Sequence, residues 1–157
     1  MPDLKLIAFD TSDLEIISAH LQDAVVRIGD MAYLPREKRF VAIANRFDWS
    51  NALEASKKTV RGTGGVQERR RAAVRFERVN AAKVQGLDLK DKRGALALLA
   101  VTFEPSGGTD SPDGNITLTF SGGAAIRLSV ECIEIELKDL GAAWATKLSP
   151  EHPEDAN

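Results

Sequence analysis

Residues 33–49 read Y-L-P-R-E-K-R-F-V-A-I-A-N-R-F-D-W. This stretch contains a turn, a long β-prone run and a charged aromatic exit. Pro35 presets φ for a turn over Pro35-Arg36-Glu37-Lys38. It also pushes Leu34 towards extended geometry, so Met31–Leu34 reads as a strand that ends there. Arg39–Phe47 is then the return strand of a hairpin. Phe40, Ala42 and Ala44 fall on one face, and Val41, Ile43, Asn45 and Phe47 on the other. Both faces are largely apolar, as expected of a strand covered on two sides. Arg46-Phe47-Asp48-Trp49 leaves that strand and carries mixed charge and aromatic surface.

Upstream, Leu4–Phe9 is a short strand. Ser12 followed by Glu15 has the spacing of a capping box. Leu14, Ile17, Leu21, Ala24 and Val25 then recur at helical spacing, which predicts a helix from about Asp13 to Val25. Gly29-Asp30 is a turn signal.

Downstream, the pattern breaks over 50–68. A short helix is expected at Asn51–Lys58, followed by a glycine-containing loop at Thr59–Gln67. Arg70–Val79 alternates, with Ala72, Val74 and Phe76 on one face. Asn80–Leu87 continues that strand past a bulge. Asp88–Gly94 is a polar turn, Ala95–Phe103 a strongly apolar central strand, and Glu104–Gly114 a loop. Asn115–Phe120 and Ala124–Val130 alternate cleanly about Ser121-Gly122-Gly123, the clearest hairpin in the chain. The spacing of Ile133, Leu137 and Leu140 predicts a closing helix over Glu131–Leu140, with Gly141 at its C′ position. Trp144 is expected to pack back onto the body.

This order gives an α+β class. Strands joined by short turns pair antiparallel. The architecture expected is a curled antiparallel sheet or barrel, pleckstrin-homology-like by analogy of element order, with an N-terminal helix and a closing C-terminal helix. Such an analogy carries no function. The length fits one domain over residues 1–148, followed by a disordered acidic tail over 149–157. One cysteine, Cys132, excludes an intrachain disulfide framework. The longest apolar run, Ala95–Val101, is too short to cross a membrane as a helix. No signal peptide is recognisable, so a cytoplasmic protein is expected.

Several segments have a familiar wording: H-L-Q-D-A-V at 20–25, A-Y-L-P-R-E-K-R-F at 32–40, N-R-F-D-W at 45–49, R-R-R-A-A-V-R-F-E-R-V at 69–79, and A-I-R-L-S-V-E-C-I-E-I-E-L-K-D-L-G-A-A-W-A-T at 125–146. They resemble an uncharacterised alphaproteobacterial family, one of the catalogued domains of unknown function. The resemblance spans nearly the whole chain and implies a single domain in a bacterial cytoplasm. It brings no activity, cofactor or partner with it.

No catalytic motif is present. Metal binding needs converging ligands, whereas His20 and His152 have no partners at ligand spacing. Cys132 lies between Glu131 and Glu134, which disfavour a thiolate. The glycine clusters lack phosphate-loop spacing. Asp48 fits an N-cap. The strongest chemical signal is basic: Lys57, Lys58, Arg61, Arg69, Arg70, Arg71, Arg75 and Arg78, against only Glu68 and Glu77. Such a patch suits phosphates or an acidic partner. It equally suits a charged edge strand guarded against aggregation. The net charge of −2 argues against a chain dominated by nucleic-acid binding.

The leading expectation is a non-enzymatic binding or adaptor domain for a protein partner, acting through Arg46, Asp48, Trp49, Arg70, Arg71, Arg75 and Arg78. One alternative is an RNA- or nucleotide-binding protein using Arg69–Arg78. The other is an enzyme built around Arg46, Asp48 and Arg75. No cofactor, metal or membrane is expected.

Overall fold

A computed structural model describes residues 3–48 and 69–141. The described chain runs β1 (Lys5–Ala8), α1 (Thr11–Leu21), β2 (Ala24–Leu34), β3 (Arg39–Phe47), β4 (Arg69–Phe76), β5 (Val79–Gln85), β6 (Ala95–Pro105), β7 (Gly114–Phe120), β8 (Ala125–Val130) and β9 (Ile135–Asp139). A 3-10 turn, Ser121–Gly123, links β7 to β8. Among the described residues the strands form one sheet in the order β1-β9-β4-β3-β2-β6-β7-β8-β5. Every pairing in it is antiparallel.

The sheet is curled. β4 and β5 lie far apart in strand order, yet only Glu77 and Arg78 separate them in sequence. Arg78 makes that turn with φ of 60°, a left-handed conformation uncommon for arginine. β5 is thereby brought back to the β2–β3 hairpin: Val79 N–H donates to the Lys38 carbonyl at 2.8 Å, and the Tyr33 hydroxyl donates to the Val79 carbonyl at 3.2 Å. Among the described residues no ladder closes the roll, so of the expected curled sheet or barrel the structure is the open curled sheet, with β1 and β5 as its two edges.

The inner face of the curl holds one core. Phe40, Ala42, Ala44, Ala72, Val74, Phe76, Ile116, Leu118, Phe120, Ile126, Leu128 and Val130 all contribute to it. Each comes from an alternating run, which is the period-2 signature of a strand with one buried side. The Phe40 and Phe76 rings sit 6.0 Å apart on neighbouring strands in a tilted arrangement. β3 thus has one fully buried face and one half-buried face, rather than two covered ones. Helix α1 seats Leu14, Ile17 and Leu21 in the core. It also tethers β6, because the Ser18 hydroxyl accepts from Val101 N–H at 2.9 Å.

Four sequence expectations are corrected. The closing helix over Glu131–Leu140 is not seen; Ile135–Asp139 forms β9, paired with β1 on one side and β4 on the other. Ile133, Ile135, Leu137 and Asp139 are all buried, a period of two that the Ile133–Leu137–Leu140 spacing concealed. Helix α1 starts and stops earlier than expected. Its N-cap is Asp10, whose side chain accepts from Asp13 N–H, so Ser12 is not the cap. Ala24 and Val25 belong to β2. Gly29-Asp30 is no turn either: β2 runs through it, bowed away from β3 between Val26 and Met31. Finally, Asn80–Leu87 does not continue the arginine-rich strand but forms the separate edge strand β5.

The 115–130 hairpin and the 35–38 turn are found where expected. The segments Asn51–Lys58 and Thr59–Gln67, Trp144 and the tail, for which a helix, a loop, packing onto the body and disorder are expected, lie outside the described residues.

Candidate functional site

Strand alternation carries charge into the core at one end of the sheet. On β3 the buried series Phe40, Ala42, Ala44 continues to Arg46. On β9 the series Ile135, Leu137 continues to Asp139. On β4 the inward series Phe76, Val74, Ala72 continues to Arg70. Register sets Arg46 opposite Arg70 and Ala72 opposite Asp139, so the three charged residues converge.

Arg46 and Asp139 form a two-pronged pair. Nε donates to Oδ1 at 2.9 Å and Nη2 to Oδ2 at 2.7 Å. Their side chains are only 4% and 1% exposed. Nη1 of Arg46 donates to the Phe47 carbonyl, and Leu4 N–H donates to Asp139 Oδ2 at 2.9 Å. Arg70 extends the network, with Nε to Asp48 Oδ2 at 3.0 Å and Nη1 to Asp3 Oδ1 at 3.1 Å. Burial alone would raise the Asp139 carboxyl. The Arg46 hydrogen bonds, the Leu4 amide and the two guanidinium charges outweigh it and hold Asp139 below the usual 3.8.

His20 stands beside this network at the last turn of α1. Its Nδ1 is buried and has no hydrogen-bond partner among the described residues. Burial first, then the Arg46 charge, lowers its proton affinity below the ordinary 6.5, against the opposing pull of Asp139 and Asp48. The fold therefore favours neutral His20, while the unfolded chain protonates it from about pH 6.5 downward. Its stability contribution is present above 6.5 and declines as pH falls through 6.5 towards the lowered folded value. His20→Gln is expected to flatten that part of the stability profile, measured by urea unfolding on either side of pH 6.5. An unchanged slope would rule out this role.

The other arginines are engaged elsewhere. Arg75 lies on the outer face of β4, 2.8 Å from both Glu77 and Glu136. Glu77 also holds Arg39 at 3.0 Å, and Glu136 holds Lys5 at 3.5 Å. Arg78 pairs with Glu134 at 3.3 Å and Lys38 with Glu131 at 2.8 Å. Arg69 lies 4.0 Å above the Phe47 ring, and half-buried Arg71 is also engaged. The acidic run after β8 is thus the counter-charge of the arginine-rich strand, because β9 pairs with β4.

Of the expected site residues, the structure brings Arg46, Asp48 and Arg70 together. Arg75 points from the opposite face of the sheet, so an Arg46–Asp48–Arg75 constellation does not form. Trp49 lies outside the described residues. Asp3, His20 and Asp139 were not expected, since non-local contacts bring them in: Asp139 by the pairing of β9 with β4, Asp3 by its bond to Arg70, and His20 by the packing of α1. Among the described residues, no group of His, Cys, Asp or Glu is placed to hold a metal ion, and no helix is long and apolar enough to cross a membrane.

A second concentration of charge lies on the outer face at the other end of the sheet. Lys83 on β5 sits directly opposite Arg127 on β8, which sits opposite Thr117 on β7. Both cations are exposed, and neither forms an ion pair among the described residues. With Val84, Gln85 and Ala125 they line an open hollow of about 290 Å³ that contains no carboxylate. Directly opposed like charges destabilise a sheet. A basic guard on an edge strand accounts for Lys83. It does not account for Arg127, which lies on an interior strand.

The family model described as a protein of unknown function, DUF2948, matches residues 4–152. The chain belongs to that family. No curated protein and no solved structure matches it. The family description assigns no chemistry to either charged cluster, so functional inference rests on the geometry of the fold.

Proposed function

We propose that this chain is a non-enzymatic binding module that holds an anionic group of its partner between Lys83 and Arg127. The observation behind this reading is that opposed, exposed pair of cations in a hollow lined by no acid. An anion there would relieve the repulsion between them and accept hydrogen bonds from Lys83, the Arg127 fork and the Thr117 hydroxyl. Arg70 and Arg75 on β4 offer less capacity, because their donors are already held by carboxylates within the chain. The buried Arg46–Asp139 network acts in this reading as the internal tie that fixes the opposite end of the sheet.

The test is an NMR titration with inorganic phosphate. The expected result is a set of saturable shifts centred on Lys83, Arg127 and Thr117, absent in the Lys83→Glu/Arg127→Glu variant and weakened by added salt. Shifts spread evenly over all basic residues, or none in the hollow, would overturn the proposal.

A further inference from the structure

The chemical class of the partner follows from the strand that carries Lys83. Among the described residues β5 is an edge of the sheet, and it runs for seven residues. Its free backbone groups can be assigned by alternation. At the β7–β8 hairpin, Phe120 N–H donates to the Ala124 carbonyl. Ile126, Leu128 and Val130 therefore direct their backbone polar groups to β7, while Ala125, Arg127 and Ser129 direct theirs to β5. Lys83 and Gln85, opposite Arg127 and Ala125, use theirs on β8. Ala82 and Val84 direct theirs outward. Val79 confirms the parity at the other end, since it lies opposite Val130 and bonds away from β8, to Lys38 and Tyr33.

The two sides of this edge differ chemically. Val84 is opposite buried Ile126 and so lies on the core side, yet it is 40% exposed. Half-buried Ala82 lies on the same side, opposite Leu128. Lys83 is on the outer side beside Arg127. A strand added next to β5 would thus place alternate residues against two cations and the residues between them against an open apolar margin.

We infer that β5 accepts an extended acidic peptide as an additional strand, with acidic side chains alternating with apolar ones. This rests on the anion-binding reading of Lys83 and Arg127 and adds the backbone pairing. The charge of the hollow selects acidic residues, and the Ala82 and Val84 amides and carbonyls select an extended backbone. Self-pairing of two β5 edges is opposed by the Lys83 charge on each. Single-stranded nucleic acid is disfavoured because no aromatic lines the hollow for bases to stack on.

The experiment uses a fluorophore-labelled, end-capped peptide of alternating Glu and Val, read by anisotropy against the full chain. A second peptide of the same composition has its Glu residues in one block. The expected result is that the alternating peptide binds about tenfold more tightly than the blocked one, and that Lys83→Glu/Arg127→Glu weakens it about tenfold or more. Val84→Pro removes an outward amide at an edge position that tolerates proline. It is expected to weaken peptide binding about tenfold while leaving the phosphate-induced shifts in place. Hydrogen exchange on the unmodified protein, which needs no variant to fold, should show the Ala82 and Val84 amides protected by the peptide.

Peptide binding that is lost on charge reversal but unchanged by Val84→Pro, with no new amide protection, would overturn strand addition and leave the anion site standing. Absence of phosphate shifts would overturn the underlying reading as well. Preferential binding of oligouridylate, or a β5-mediated dimer detected by ultracentrifugation in place of peptide binding, would overturn the assignment of an acidic peptide.

Discussion

Replacing Asp139 with alanine is expected to destabilise the protein by about 3–5 kcal/mol, the usual cost of stranding one partner of a buried ion pair. Arg46 would be left with its charge in the core and both prongs of its fork unmade. The Leu4 amide would lose its acceptor, which loosens the start of β1 at the same time. For a chain of this size, the melting temperature should fall by roughly 10 °C or more. Replacing both partners with well-packed apolar residues, Arg46→Met with Asp139→Leu, should cost much less, because no charge is then left buried. Equal losses in the single and double variants would show that the pair is not the source.

The same pair sets an acid limb. With its folded value below the ordinary 3.8, Asp139 contributes stability that is present above about pH 4 and is lost as pH falls through the folded value. Asp139→Asn should remove that limb and lower stability at neutral pH. Urea unfolding across the acid range measures both.

Ile135→Ala is expected to cost about 2–5 kcal/mol, comparable to Leu137→Ala. Ile135 is 1% exposed on the buried face of β9 and anchors pairing to both β1 and β4. A helix with an Ile133–Leu137–Leu140 stripe would instead leave Ile135 on its outer side and make the substitution mild. Urea unfolding decides between the two. A loss under about 1 kcal/mol for Ile135, beside a large one for Leu137, would overturn the strand pairing of β9.

The error at β9 has a specific cause. Over ten residues, Ile133, Leu137 and Leu140 satisfy helical spacing, and Ile133, Ile135 and Leu137 satisfy strand spacing. What decides between them is non-local: the edge of β4 was open, and its arginines needed counter-charges. Glu136 on β9 meets Arg75 across the ladder. A charge pattern read locally looked like an acidic helix and a separate basic patch. Paired, they neutralise each other: Arg70, Arg75 and Arg78, from the patch that dominated the sequence, each meet a carboxylate within the fold.

The hollow shows the opposite case. Clean alternation around Ile116, Leu118, Ile126 and Leu128 already put Thr117 and Arg127 on the outer face. Lys83 could not be joined to them, because the turn at Glu77-Arg78, which makes β5 a separate edge strand, has no glycine or proline to signal it.

The sequence by itself determined the sheet-rich class, the first helix, the hairpins at 35–38 and 115–130, and most core positions. Those follow from short-range periodicity and turn chemistry, which a single segment contains. Only the tertiary structure decided that Arg46 is buried, that Asp139 is its partner, and that Lys83 faces Arg127. Each depends on which strands become neighbours. That order is set by the total burial of one curled sheet, a property that no segment of the chain holds alone.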